Sequence, residues 1–301
     1  MTSNLTFRQL RYFVAVAQTG QFSLAAIQEN VSQSTISNGI GAIEEELGMR
    51  LFDRLPHGVS RTPEGHDFLQ HACHIIESMH NAVESTRYKE GPLFGIVRIA
   101  ASYTLLGYFL PDILSRFRAS YPEVEIQLHD LSRFEIEEAI LSGKADIGVV
   151  ILSNVSELRR FGYANLVRSR RQLWVAPSHP LAQIQSPSLR DIAEFPYLLL
   201  TSDEGEQSAL QYWKQNDLMP NIILRTGSIE ALRGLVGHGF GVTVLSDMVY
   251  RPWSLEGKRI EVRSVSDAIP PMEAGILWKR ETEYSQAAKA FQQFLIHSFG
   301  V

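Results

Sequence analysis

Apolar residues recur at helical spacing from the start of the chain. Phe7, Leu10, Val14 and Ala17 line one face behind Thr6-x-x-Gln9, a capping-box pattern, and predict a helix from Phe7 to about Gln18 that Gly20 stops. Ser23 is placed to cap a second, short helix running through Ala25 and Ala26 to about Glu29. Ser32 is placed to cap a third, whose Ile36, Ile40, Ile43 and Leu47 form an inward stripe ended by Gly48. Two short helices joined by Asn30-Val31-Ser32 have the spacing of a helix-turn-helix, and the small Ala25 and Ala26 permit a close crossing. Leu51-Phe52-Asp53-Arg54 and Val59-Ser60-Arg61-Thr62 alternate around Pro56-His57-Gly58 and predict a small hairpin wing.

The third helix carries Gln33, Ser34, Thr35, Ser37 and Asn38 at its leading, outward end. Gln and Asn can pair with adenine edges in double-stranded DNA, and hydroxyls with base or phosphate; Arg54, His57 and Arg61 on the wing are candidates for the phosphates. On pattern alone, a three-helix bundle with a merely solvated polar surface stays open.

Thr62-Pro63 then supplies a cap and a first-turn proline for a long helix from Glu64 to about Lys89. Phe68, Ala72, Ile75, Met79, Ala82 and Thr86 alternate in steps of four and three, the spacing of a two-helix seam, so this helix is expected to pair two chains, with Gly91-Pro92 as a hinge. His66, His71, His74 and His80 lie along it, and His71, His74 and Glu77 are one turn apart. Side chains on one straight helix rarely enclose an ion, so the reading is a solvated face and no metal.

From Phe94 onward the pattern changes. Ile96–Ala100, Val124–Leu128, Ala145–Val150 and Leu173–Val175 read as strands, alternating with helical stretches such as Leu106 to Ser120 and Glu135 to Ser142. This predicts an α/β architecture with largely parallel sheets and ligand sites at strand C-terminal ends. Gly237-x-Gly239-x-Gly241 follows a helix (Ser228 to Val236) and precedes a strand (Val242 to Leu245), the reverse of a phosphate-binding order, and is read as a turn.

Composition narrows the function classes. A length of 301 residues suits a small domain plus a larger one, and 45% hydrophobic with 20% charged residues is ordinary for a folded globular chain. No apolar run approaches membrane-spanning length, and Met1-Thr2-Ser3-Asn4 lacks a basic region before an apolar stretch, so a cytoplasmic protein without membrane contact is expected. Cys73 is the only cysteine, which excludes an intramolecular disulfide or a cysteine-rich zinc finger. The net charge of -5 argues mildly against nucleic acid, and up to Thr62 the basic Arg8, Arg11, Arg50, Arg54 and Arg61 only balance Glu29, Glu44, Glu45, Glu46 and Asp53. Placement must then do what bulk charge does not, and the acidic triplet must face away from phosphate. No catalytic triad, H-E-x-x-H motif, phosphate-binding lysine loop or nucleophile elbow is present.

One ordered set of residues points further. Leu10-x-x-Phe13, Gly20-x-Phe22-Ser23-x-Ala25-Ala26, Val31-Ser32-Gln33-Ser34-x-Ile36-Ser37, Ile40, Glu44-x-x-Leu47-Gly48-x-x-Leu51-Phe52-x-Arg54 and Thr62-x-x-Gly65 closely resemble the DNA-binding signature of LysR-type transcriptional regulators, a bacterial family. Leu110-Pro111, Phe117, Tyr121-Pro122-x-Val124, Gly143-x-x-Asp146-Ile147, His179-Pro180-Leu181-Ala182 and Val236-x-x-Gly239-x-Gly241-Val242 extend the resemblance over nearly the whole chain. Three positions depart from it: Glu29 where the family has leucine, Ser34 where it has proline, and Gly39 where it has glutamine. The first is expected to loosen packing under the turn, and the others to alter the DNA-reading helix.

The resemblance implies a winged helix-turn-helix over residues 1–62 and a linker helix over 63–91 that makes an antiparallel dimer contact. It also implies an effector-binding domain over 92–301, similar to periplasmic binding proteins. Its subdomains would be 93–162 with 267–301, and 163–266, holding a small-molecule effector between them. Ser102, Tyr103 and Thr104, Thr201 and Ser202, and Thr226, Gly227 and Ser228 are the candidates to line that cleft. Asp203, Glu204 and Glu206 lie nearby, and the effector's charge stays open. The implied protein is a homotetramer, a dimer of dimers on an interrupted palindromic operator that acts on RNA polymerase, with no cofactor and no enzymatic role. A solute-binding module without gene control, or an enzyme using the cleft, are the competing readings; the first has no use for residues 33 to 38, and the second lacks a convergent acid, base or nucleophile.

Overall fold

The computed structural model describes residues 5–55, 58–87 and 93–299, and the chain separates into two compact units, Met1–Gly91 and Pro92–Val301. The first is built from α1 (Phe7–Thr19), α2 (Phe22–Gln28), α3 (Gln33–Leu47), β1 (Phe52–Leu55), β2 (Gly58–Arg61) and α4 (Pro63–Arg87). Thr6 and Gln9 close the expected capping box on α1, and Ser32 Oγ accepts from the Thr35 N–H at the start of α3. Helix α2 differs from expectation. Gln21, not Ser23, occupies its N-cap, without a side-chain hydrogen bond. The Phe22 ring packs against the core, 6.4 Å from Phe52, and that apolar anchor draws the helix start forward of the serine.

Leu10, Phe13 and Val16 of α1 meet Ala25 and Ala26 of α2, Ile36, Ile40 and Ile43 of α3, and Phe52 and Val59 of the wing in one core. The wing pairs antiparallel from Phe52↔Arg61 to Leu55↔Gly58. The first residues of the α4 stripe pack differently from the seam reading. Ala72 is fully buried, and Phe68, Leu69 and Ile76 pack on this same core, Phe68 edge-on to Phe13 at 4.9 Å. The first half of the stripe therefore completes its own domain. Ile75 and Met79 stay about half exposed, at 50% and 54%, while the side chains of Ala82 and Thr86, and Gly91-Pro92, lie outside the described residues.

The second unit contains β3 (Gly95–Ala101), α5 (Tyr103–Tyr108), α6 (Leu110–Ser120), β4 (Val124–Asp130), α7 (Arg133–Ser142), β5 (Ile147–Ile151) and β6 (Phe161–Ser169). It continues with β7 (Arg171–Val175), α8 (Leu189–Ala193), β8 (Pro196–Leu200), α9 (Gly205–Gln215), β9 (Asn221–Thr226), α10 (Ile229–Gly237), β10 (Thr243–Ser246), β11 (Glu261–Ser264), β12 (Met272–Lys279) and α11 (Gln286–Ser298). A five-stranded sheet in the order β4-β3-β5-β12-β6 forms one half; strands in the orders β10-β7-β11 and β8-β9 form the other, linked by a bridge between Tyr197 and Val242.

The sheets are mixed rather than largely parallel. β3 pairs parallel with β4 and β5, and β8 with β9, but β12 runs antiparallel to β5 and β6, and β7 antiparallel to β10 and β11. The cause is topological: the chain leaves the first sheet along β6 and returns along β12, so the two strands face in opposite senses. Residues 163–169, on the far side of the subdomain boundary drawn from sequence, pair with β12 in the first sheet. The helix expected from Leu106 to Ser120 is broken at Phe109 (φ -116°, ψ -48°). Pro111 follows within the first turn of α6, where its missing N–H costs nothing; in a continuous helix it would remove a bond and crowd the carbonyl of Gly107.

Candidate functional site

In the first unit, the amphipathic stripe of α3 divides its surface cleanly. Ile36, Ile40 and Ile43 are buried, whereas Gln33, Ser34, Thr35 and Asn38 are exposed and Ser37 is half-buried. Ser32 Oγ lies 2.8 Å from Ser34 Oγ and 2.7 Å from Thr35 Oγ1, so three hydroxyls cluster where α3 presents its free N–H groups. On the wing Arg54 is exposed and Arg61 half-buried; His57 lies outside the described residues. Strand alternation puts Arg54 and Arg61 on the face that also buries Phe52 and Val59. Glu44, one of the acidic triplet, accepts from the Leu51 and Phe52 N–H groups at 2.8 and 3.2 Å. That carboxylate is spent on fixing the entry to the wing.

The three departures from the signature have physical roles. Glu29 does not loosen the turn: its side chain, only 10% exposed, makes a 2.8 Å ion pair with Arg11 of α1. Gly39 faces α1 as well. A Cβ there would stand 2.8 Å from Tyr12 Cδ2, so the Tyr12 ring fills the space a side chain would start in. The glycine sets the approach of α3 to α1. Ser34, in place of proline, contributes a hydroxyl to the cluster at the head of the helix.

In the second unit, the candidate residues from the two halves converge only in part. Thr104 and Ser202 line a cavity of about 50 Å³, together with Asp203, Arg171, Ser208 and Thr243. The Ser202 and Thr243 hydroxyls, and that of buried Ser102, have no hydrogen-bond partner among the described residues. Buried hydroxyls without partners are uncommon and mark a place where a polar ligand or water would be held. Arg171 donates to Ser208 Oγ at 2.7 Å and to the Pro270 carbonyl at 3.0 Å, which fixes its guanidinium at the wall. Tyr103 is exposed. Thr201 and Thr226 are joined through their backbones at 2.9 Å, and Gly227 stands beside Thr201. Ser228 caps α10, its own N–H held by Thr226 Oγ1, so these two hydroxyls serve the turn rather than the cavity.

The sequence placed Asp203 and Glu204 near the cleft but not the bonds they make across it, and it missed their partners Asn154 and Arg133 and the pair Tyr108 and Glu230. The turn after β8 carries Asp203 (φ 49°, ψ 45°) and Glu204 (φ 56°, ψ 26°), both left-handed, at a cost of about 1–2 kcal/mol each for a residue with a side chain. Their contacts offset it. Asp203 Oδ2 accepts from the Thr104 N–H at 2.7 Å, and Asn154 Nδ2 donates to the Asp203 carbonyl at 2.7 Å. Arg133 Nε donates to Glu204 Oε1 at 3.2 Å. At the other end of α5, Tyr108 donates to Glu230 Oε1 at 2.7 Å. Burial first, and this carboxylate second, push the Tyr108 hydroxyl up to about 12, so it remains a donor at neutral pH. Burial alone would raise Glu230, but donation by Arg233 and Tyr108 holds it below the ordinary carboxylate range.

A larger, open groove of about 540 Å³ lies at the opposite end of the first sheet, bordered by Arg98, Asp146, Lys279 and Tyr284. Its strongest charges are already matched, since Arg98 grips Asp146 through Nε and Nη2 at 3.2 and 2.7 Å. The cleft between the halves, with its unpartnered hydroxyls, is the better candidate.

Both units have counterparts among known proteins. Residues 7–66 match the family model for bacterial regulatory helix-turn-helix proteins of the lysR family, and residues 90–300 match that for the LysR substrate binding domain. The chain is 29% identical to the uncharacterized helix-turn-helix transcriptional regulator YnfL of Escherichia coli, over 98% of this chain and 99% of that one. It is 25% identical to the uncharacterized regulator YvbU of Bacillus subtilis, with the same coverage of 98% and 99%. Among solved structures, HinK, a LysR family transcriptional regulator from Pseudomonas aeruginosa, aligns with a TM-score of 0.63 at 24% identity, over 98% of this chain and 99% of that one.

Proposed function

Because the chain belongs to the LysR family of transcriptional regulators, joining a helix-turn-helix DNA-binding domain to an effector-binding domain, we propose how it reads its operator and where its effector sits. Paired α3 helices of a dimer of dimers enter successive major grooves of an interrupted palindrome. Gln33, Ser34, Thr35, Ser37 and Asn38 meet bases or nearby phosphates, and Arg54 and Arg61 meet the backbone. The cleft between the two sheets takes a small polar solute among Thr104, Arg171, Ser202 and Thr243. Its occupancy changes the spacing of the DNA-binding pairs, and hence the bend of the promoter and contact with RNA polymerase in the cytoplasm. The cleft serves binding, not catalysis.

The observation that carries this reading is the split surface of α3: its apolar stripe is consumed by the core while the polar residues at its head are exposed, the hydroxyls of Ser34 and Thr35 bonded to that of Ser32. Replacing Ser34 and Thr35 together with alanine is expected to abolish protection of the DNA upstream of the protein's own gene while leaving the oligomer intact in sedimentation. An unchanged footprint would sink the assignment of α3.

A further inference from the structure

The bonds that cross the cleft do more than shape a ligand pocket. We infer that Asp203 latches the two halves of this domain together, and that an effector acts by wedging the cleft open in exchange for that carboxylate. The inference rests on the cleft being the effector site.

The space left between the two halves is small for a solute. About 50 Å³ holds a few waters, whereas small-molecule sites enclose roughly 300–1,000 Å³. A solute of ordinary size is accommodated by separating the halves, so binding here is an opening step rather than a closure around the ligand.

What must then be broken is specific. Helix α5 of the first half is gripped at both ends by carboxylates of the second: Asp203 on the Thr104 N–H and Glu230 on the Tyr108 hydroxyl. The turn bearing Asp203 is held again from the first half, by Asn154 on its carbonyl and by Arg133 on neighbouring Glu204. Arg133 is itself buried and shared with Glu137 of its own helix. Of these groups only Asp203 borders the cavity with a charge turned to the opposite half; Arg171, the other charged residue there, is tied within its own half to Ser208 and to the chain at Pro270. A solute that seats itself beside Ser202 and Thr104 therefore meets Asp203 first. Once the carboxylate is released, its left-handed turn is free to relax, while the Tyr108 bond at the far end of α5 provides a pivot.

Two variants of the full-length protein test the latch by hydrogen exchange with no metabolite added. Asp203→Gly removes the acceptor and suits the left-handed backbone; Asp203→Asn keeps a carbonyl acceptor and tolerates that backbone but removes the charge. Peptides spanning residues 102–108 are expected to exchange on the order of tenfold faster in the glycine variant, the loss of a charge-assisted hydrogen bond, and by a smaller factor in the asparagine variant. The glycine variant is also expected to give an altered footprint without effector. Exchange over 102–108 equal to that of the parent in both variants would overturn the latch, and so would an acceleration spread evenly over residues 93–299. If the parent protein gives no footprint at all, the DNA-binding reading fails separately, and the exchange result still decides the latch.

Discussion

Residue 65 shows how a missing side chain closes the first unit. Thr62 Oγ1 donates to the Arg50 carbonyl and accepts from the Gly65 N–H, at 2.8 and 3.0 Å, which joins the wing to the start of α4. In that arrangement a Cβ on Gly65 would fall 2.1 Å from the Leu51 carbonyl oxygen. The obstacle is backbone, so nothing flexible can yield. Gly65→Ala is expected to destabilise the N-terminal unit by about 1–3 kcal/mol, read as faster exchange of the α4 and wing amides with those of residues 93–299 unchanged; exchange equal to the parent's in α4 would refute the close approach. The Thr62-x-x-Gly65 pattern was legible in the sequence, but its reason was not, because the atom that forbids a side chain belongs to Leu51 and is brought there by the fold. Asp203 was legible as a neighbour of the cleft, but its role was not. An acidic residue after a strand gives no hint of a left-handed backbone or of an amide across a cleft.

Between elements, the pair Arg11–Glu29 replaces what an apolar side chain would do. It ties the end of α2 to α1 just before Asn30, which turns the chain at φ 54°. The carboxylate is mostly enclosed while the guanidinium is half exposed, at 10% and 53%, so the two partners are not equivalent. Removing the arginine leaves an enclosed charge unpaired, whereas removing the glutamate returns the arginine to water. Arg11→Met is therefore expected to lower the stability of the unit by about 1–3 kcal/mol, and Glu29→Leu to leave it unchanged or raise it by about 1 kcal/mol. Thermal unfolding of both variants checks the order, and a Glu29→Leu protein less stable than Arg11→Met would reverse it. At this scale the sequence was most informative where local chemistry decides: the capping box at Thr6, the cap at Ser32 and the stripe of α3 stand as read. It misled where tertiary packing overrides the local signal. Phe22 starts α2 ahead of Ser23, Pro111 splits one long helix into α5 and α6, and Phe68 and Ala72 turn inward to their own core.

For the molecule as a whole, charge is the property that most resists the proposed function, since the chain carries a net -5 and its first unit is balanced up to Thr62. Part of that tension disappears because charges are spent internally: Arg11 on Glu29, and Glu44 on the backbone of Leu51 and Phe52. What remains for phosphate is local, with exposed Arg54 on the wing in the same unit as the head of α3. Binding should then depend on few phosphate contacts and on base reading by small polar groups. Removing one Arg–phosphate interaction reduces the slope of log affinity against log salt by about 1. Arg54→Ala is expected to shallow that slope by about this amount per protomer bound, and to weaken specific and unrelated DNA alike. Ser34→Ala is expected to leave the slope alone and change the ranking among operator variants. Affinities measured over a series of salt concentrations separate the two. An unchanged slope for Arg54→Ala would remove the wing from the phosphates, and a slope altered by Ser34→Ala would move that hydroxyl from the bases to the backbone.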